Sequence, residues 1–213
     1  MKRRTFNQWG ACLAAVAALG LPTFAFAADE APDAFIKRLS DEVLGQIKGD
    51  EKIRAGDVSR IQALVDTKIL PNVNFARMTA ATVGPAWRQA TPEQKSRLQE
   101  EFKTLLLRTY AGALAQVNEQ TVSVKPMRSA PEDSEVVVRT EIRGRGDPIQ
   151  LDYRLEKTPG QGAGWKIYNL NVLGVWLVET YRTQFAEVTS SKGVEGLIAA
   201  LAERNKQNAA KKG

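Results

Sequence analysis

The residues able to make or break bonds in this chain are few. It has no histidine, and its single cysteine is Cys12. That removes the usual general base near neutral pH, the commonest metal ligand, and any thiolate beyond the N-terminal stretch. Ser-His-Asp triads, Cys-His pairs and Cys/His zinc sites are excluded outright, and neither a metal nor a cofactor is expected. The carboxylate with the most suggestive setting is Asp152, in "QLDYRL". By strand parity it points away from Leu151 and Tyr153, which predicts a solvated sheet face. Glu179 and Asp147 are no better placed. There are no paired carboxylates, no Gly-rich phosphate loop and no metal spacing, so no catalytic residue is expected.

The chemistry that the residue types do favour is apolar contact. Phe75, Met78, Trp87, Phe102, Tyr110, Tyr153, Trp165, Trp176, Tyr181 and Phe185 are a generous large-side-chain inventory for one domain without disulfides. A filled core and an apolar binding cavity draw on the same residues. Composition and spacing therefore leave three readings open: a binder of apolar ligands, a cone-fold enzyme acting on an apolar small molecule, or a protein-binding adaptor with a filled core.

The elements that must position these side chains follow from period and punctuation. "DAFIKRLSDEVLGQI" sets Ile36, Leu39, Val43 and Ile47 at helical spacing. Asp57 is an N-cap for the stripe Ile61, Leu64 and Val65, with Pro71 as a stop, and Asn74 caps a short helix ending near Gly84. "TPEQ" is a capping box, with Thr91 as N-cap, Pro92 at N1 and Gln94 at N3. It opens a long helix bearing Leu98, Phe102, Leu105, Leu106 and Tyr110. The period then changes: "TVSVKPM", "SEVVVRTEIRG", "PIQLDYRLEK" and "GWKIYNLNVL" alternate and are rich in β-branched and aromatic residues. After them, "LGVWLVETYRTQFAEV" and "SSKGVEGLIAALAERNK" read as closing helices, followed by a frayed polar tail. Helices, a meander and helices again predict an α+β domain: a curved, mostly antiparallel sheet of at least four strands, packed by N- and C-terminal helices.

Residues 1–27 read as a cleaved secretory signal: a basic start (Lys2, Arg3, Arg4), the apolar run "ACLAAVAALGLP", and Ala25-Phe26-Ala27 as a small-x-small cleavage site. Arg3-Arg4-Thr5-Phe6 partly matches a twin-arginine signal, but Asn7 breaks the pattern, so Sec-type export is the expectation. Residues 28–213 would form one domain. Loss of the three basic signal residues lowers the net charge from +6 to +3, which is no nucleic-acid signature. In "LGVWLVETYRTQF", Leu177, Val178, Tyr181 and Phe185 share one helical face, while Trp176 falls on the other side and needs a second partner.

Taken in order, several segments resemble one family. "LVDTKILPNVNFARMTAATVGPAWRQATPEQKSRLQEEFKTLLLRTYAGAL" is similar to the first half of the periplasmic phospholipid-binding proteins of the Mla pathway, the MlaC or toluene-tolerance auxiliary family. "LDYRL", "GWKIYNLNVLGVWLVETYRTQF" and "KGVEGLIAAL" match its second half. The resemblance runs from about Phe35 to Leu201. Two departures stand out. Asn169 occupies a position where the family usually has aspartate, and Leu173-Gly174-Val175-Trp176 stands where it usually has an acidic residue, glycine, valine and serine.

The resemblance implies a cone-like fold with a deep apolar pocket. The protein would be a periplasmic carrier in a pathway that maintains outer-membrane lipid asymmetry. Its ligand would be a diacyl phospholipid rather than a cofactor. Its partners would be an outer-membrane lipoprotein–porin complex and an inner-membrane ABC transporter with an MCE-domain ring. On this reading the pocket lining includes Phe75, Met78, Phe102, Leu106, Tyr110, Ile142, Leu151, Tyr153, Val172, Val175, Val178 and Tyr181. Arg77 and Arg88 would sit near the headgroup phosphate, or else be ordinary surface arginines. Trp176 would close part of the pocket entrance or form a docking surface.

Overall fold

A computed structural model describes residues 30–130 and 132–210; the expected signal, residues 1–27, lies outside them. Helix α1 (Pro32–Gly49) carries proline in its first turn and buries Phe35, Ile36, Leu39, Leu44 and Ile47. Asp50 caps α2 (Glu51–Arg54), and Asp57 caps α3 (Val58–Leu64) by accepting from the Arg60 N–H. A π-helical turn (Val65–Ile69) and a 3-10 turn (Leu70–Asn72) follow before the chain reaches α4 (Phe75–Val83). Asn74 caps α4, and its own N–H donates to the Ile167 carbonyl at 2.8 Å. After α5 (Ala86–Gln89), the long α6 (Pro92–Ala115) opens with the expected capping box. The Thr91 N–H donates to Gln94 Oε1 at 2.9 Å, and the Gln94 N–H donates to Thr91 Oγ1 at 3.2 Å.

The sheet is an antiparallel meander in the order β1-β2-β3-β4-β5. Its strands are β1 (Thr121–Val124), β2 (Glu135–Arg143), β3 (Ile149–Lys157), β4 (Trp165–Val172) and β5 (Val175–Trp176). Cross-strand pairing sorts the side chains by face. Val136–Leu155, Val138–Tyr153, Thr140–Leu151 and Ile142–Ile149 lie on one face, and Arg139–Asp152 and Val137–Arg154 on the other. A bulge between Arg154 and Leu155 lets Tyr153 pair with Leu170 and Leu155 with Ile167. Ile167 and Leu170 therefore share the apolar face although they are three residues apart.

The fifth strand corrects the expectation of a direct passage from strand to helix. Leu173 (φ 53°) and Gly174 (φ 86°) form a two-residue turn. Positive φ at both central positions is the geometry of a type I′ hairpin. Asn171 Oδ1 accepts from the Gly174 N–H at 2.8 Å, and Val175 and Trp176 pair back onto Val172 and Asn171. Helix α7 (Leu177–Ala210) begins only afterwards and is broken at Gly193 (φ 64°). The helix runs through Ala210, into the polar tail expected to fray, whose residues 211–213 lie outside those described. The buried Asn205 amide ties the last turns of α7 to α6 by donating to the Glu101 carbonyl and carboxylate, at 2.9 and 2.7 Å.

One side chain fastens α7 to the sheet. Asn169 is almost fully buried. Its Oδ1 accepts from the backbone N–H groups of Leu170 (2.9 Å) and Val178 (3.1 Å), and its Nδ2 donates to Glu179 Oε2 at 2.8 Å. It thus supplies, from a neighbouring strand, the cap that an N-terminal helix donor needs. Burial alone would raise the Glu179 carboxyl, but the hydrogen bonds from Asn169 and Arg154 outweigh it, and its pKa is lowered. Asn169→Asp would face one carboxylate with another. We expect it to cost about 1–3 kcal/mol in chemical denaturation at neutral pH, most of it recovered by adding Glu179→Gln.

Candidate functional site

Among the described residues, three apolar clusters are joined to one another by half-buried side chains. In the first, α4, α6 and α7 pack Met78, Phe102, Val178, Tyr181 and Phe185 together. Phe102 is its hub: it stacks on Phe75 (centroids 5.7 Å apart) and takes Tyr181 and Phe185 edge-on at 5.1 and 5.4 Å. In the second, α1 packs Phe35, Ile36 and Leu39 onto Val136, Val138, Tyr153, Leu155, Trp165 and Ile167 of the sheet. The third joins the end of α1 to α2, α3 and α6 through Ile47, Ile53, Ile61, Leu64 and Ala111. Val73 and Leu170 touch both the first and second clusters, and Val43 touches the second and third. All three linking residues are half-buried.

The expected lining residues divide along this seam. Met78, Phe102, Val178 and Tyr181 are buried within the first cluster, while Phe75, Leu106, Tyr110 and Val172 are half-buried against it. Leu151 is half-buried against the second cluster, and Ile142 is half-buried on the same sheet face. Tyr153 is buried, and its hydroxyl is hydrogen-bonded to Ser40 and Thr140; burial pushes its pKa up to about 12, so the phenol is neutral. Burial also raises Tyr110. Val175 departs from expectation: it shares the parity of Val172 but lies 49% exposed at the sheet edge. Leu170 and Val73 were not anticipated. Leu170 reaches the seam only because the bulge resets the parity of β4, and Val73 reaches it through a parallel bridge to Ile167.

The polar candidates lie elsewhere. Arg77 donates to Glu156 and Glu135, each at 2.5 Å, and its guanidinium lies 3.7 Å from the Tyr168 ring centroid. The Tyr168 hydroxyl also donates to Glu135, at 2.8 Å. Both ends of the Arg77 fork are thus engaged in tying α4 to the strands, which corrects the expectation that it faces a phosphate. Arg88 is exposed on α5.

Trp176 pairs with Asn171, which pairs with Asp152, which pairs with Arg139, so all four lie on the face opposite the apolar seam. The Arg154 guanidinium sits 4.1 Å from the Trp176 ring centroid. This placement corrects the reading of Trp176 as closing the pocket entrance: the indole covers the polar face. It also corrects the reading of Asp152 as solvated. Asp152 is only 4% exposed and accepts from Gln150 Nε2 at 2.6 Å. Glu179 is held by Arg154 and Asn169 on that same face. The carboxylates on which an enzymatic reading would rest are therefore separated from the seam by the sheet itself.

Fold and seam together define an α+β domain that turns apolar and phenolic side chains, rather than charged ones, toward its interior. The chain belongs to the MlaC family: the family model described as "MlaC protein" matches residues 37–203. The toluene tolerance protein ttg2D of Pseudomonas putida is 27% identical over 168 residues, 78% of this chain and 76% of its own length. The intermembrane phospholipid transport system binding protein MlaC of Haemophilus influenzae is 21% identical over 203 residues, 94% of each chain. Among solved structures, the phospholipid-binding protein from Ralstonia solanacearum, in complex with a phospholipid, is 50% identical. It superimposes with a TM-score of 0.80, covering 83% of this chain and 98% of that one.

The Arg77 network carries a pH dependence with a definite sign. Hydrogen bonds from Arg77 and Tyr168 hold the Glu135 carboxyl below its ordinary 4.5. A depressed carboxylate contributes stability that is present above its unfolded pKa and lost as pH falls through its folded one. Between about pH 6 and pH 3, denaturation midpoints of Arg77→Met are expected to fall less steeply than those of the wild type.

Proposed function

We propose that this protein is a periplasmic phospholipid carrier that holds acyl chains in an apolar pocket opening from the seam between sheet and helices. The observation that carries this reading is the phospholipid-bound Ralstonia relative, half identical to this chain over nearly its whole length. The seam supports it chemically. Phe75, Leu106, Tyr110, Leu151, Leu170 and Val172 offer half-buried apolar surface beside the first and second clusters, with Ile142 on the same sheet face, and Met78, Phe102, Val178 and Tyr181 back that surface. Cargo passing between an outer-membrane lipoprotein–porin complex and an inner-membrane ABC transporter with an MCE-domain ring would fit the family resemblance.

Energetics explain why a carrier is needed and why it requires no catalysis. Exposing acyl chains to water costs about 0.8 kcal/mol per CH₂, so a bare diacyl lipid with around thirty such groups faces a barrier on the order of 20 kcal/mol. A pocket as apolar as the bilayer interior makes loading nearly neutral and reversible. Direction is then left to the docking partners.

Mass spectrometry of an organic-solvent extract should find phospholipid in natively purified protein. A preparation that is lipid-free and also fails to load from vesicles would reject the carrier reading. Leu106→Glu places a charge in the seam from a half-buried position, and we expect soluble, folded protein with at least tenfold less bound lipid. Trp176→Ser serves as the control on the opposite face. It should lose about 1–2 kcal/mol of stability, through lost contacts with Arg154 and the polar row, while retaining its lipid.

A further inference from the structure

The apolar face of the sheet continues beyond the helices that cover it. Among the described residues four large hydrophobic side chains are exposed: Val58, Ile149, Leu173 and Val175. Three of them meet at one end of the sheet. Ile149 opens β3 opposite Ile142, and Val175 opens β5 opposite Val172. The Leu173 N–H donates to the Gln150 carbonyl at 3.0 Å, which holds the β4–β5 turn against the start of β3. Ile149 is 42% exposed, Val175 49% and Leu173 65%. Ile142, Leu151 and Val172 stand behind them on the same face, half-buried. On this face, a strip of apolar side chains thus passes from half-buried to exposed toward the end of the sheet.

The tip of this strip is occupied by an unexpected residue. Leu173 holds φ 53° at the first central position of the turn, where asparagine or glycine adopts the geometry readily and leucine does not. Its side chain is the most exposed of the four. Backbone strain and hydration both disfavour leucine there. Backbone hydrogen bonds hold the turn in place, but the side chain remains 65% exposed, and a contact made outside the chain would cover it.

We propose that Ile149, Leu173 and Val175 form a lip that dips into the headgroup–acyl boundary of a phospholipid surface while lipid passes between that surface and the seam. The inference rests on the carrier reading above. Shape and size favour a lipid surface over a protein. The lip is a two-residue hairpin turn and the adjoining start of β3; its three aliphatic side chains offer far less than the roughly 1,200 Å² that a stable protein interface buries. Interfacial insertion instead scales with buried apolar area and is reversible, as a carrier that must detach again requires. The strip behind the lip would keep an acyl chain in apolar contact along its path.

Nearby charge is largely balanced. Arg143 and Lys125 pair with Glu141, Arg145 pairs with Glu119, and Asp147 lies in the adjoining loop. The contact is therefore apolar and should depend little on anionic lipid.

The test is an Ile149→Thr/Leu173→Asn double variant. Threonine keeps the β-branched strand residue, and asparagine suits the positive φ, so thermal stability should not fall. The probes are vesicles of phosphatidylcholine alone and of phosphatidylcholine with phosphatidylglycerol, read by flotation and by transfer of fluorescent phospholipid. We expect transfer to slow about tenfold or more with both vesicle types, while the lipid that co-purifies is retained. Unchanged flotation and transfer would overturn the lip. So would a loss confined to the anionic vesicles, or a loss of self-association in sedimentation with vesicle transfer intact. If wild-type protein neither holds nor takes up lipid, the carrier reading itself falls, an outcome separate from failure of the lip.

Discussion

Asn169 is the joint on which the two layers of this molecule depend. The meander and the long C-terminal helix bury their apolar faces against each other only if α7 leaves the last hairpin at the right place and angle. The Asn169 side chain sets both, accepting from the α7 N–H of Val178 and donating to Glu179. An amide can do both at once; a carboxylate would satisfy the N–H but repel Glu179. Where the family resemblance leads to an expectation of aspartate, asparagine here also binds the neighbouring glutamate. From this joint, α7 delivers Val178, Tyr181 and Phe185 to Phe102 on α6, and the aromatic hub of the first cluster follows.

The sheet divides the labour between its two faces. On one side, apolar residues from three strands meet helices gathered in three clusters rather than one, and the residues joining the clusters remain half-buried. On the other, a row of Arg139, Asp152, Asn171 and Trp176 is closed over by the indole and by Arg154. Buried polar groups are tolerated when hydrogen-bonded, and most of that face is. The polar row supports the hairpin and the start of α7, leaving the opposite face free to serve an apolar ligand. Arg77 has a parallel role at the other end of β4, where its ion pairs with Glu135 and Glu156 hold α4 to the strands.

Much of this was legible from residue order. The capping box at Thr91, the caps at Asp57 and Asn74, and the alternation of the first four strands are local signals, and the local structure follows them. What was not legible depends on contacts between distant segments. The burial pattern of β4 alternates without a fault, yet the bulge opposite Arg154 and Leu155 changes which face that alternation addresses. Leu170 therefore joins the seam, while Asn169 and Asn171 are buried on the polar side. Asp152 obeyed its parity but not the solvation inferred from it, because β5 and Trp176 cover that face. The β4–β5 turn was hidden for a different reason: leucine is a poor type I′ residue, so local propensity argued against the turn.

That conflict carries the most functional weight. In a sequence whose caps and strand patterns agree with its fold, a strained and solvent-exposed leucine beside a half-exposed valine is a local disagreement, and such disagreements are expected where function constrains the chain. Here the disagreement sits where the apolar face runs out of helix to cover it. A fully covered face would be more stable, but it would close the path between an interior ligand and its source. An exposed apolar margin forgoes the stability that burial would bring and gains it only when it meets another apolar phase. The residues left uncovered in the isolated molecule would therefore favour its transient contact with lipid, and the gain would disappear again on departure, so the contact need not trap the carrier.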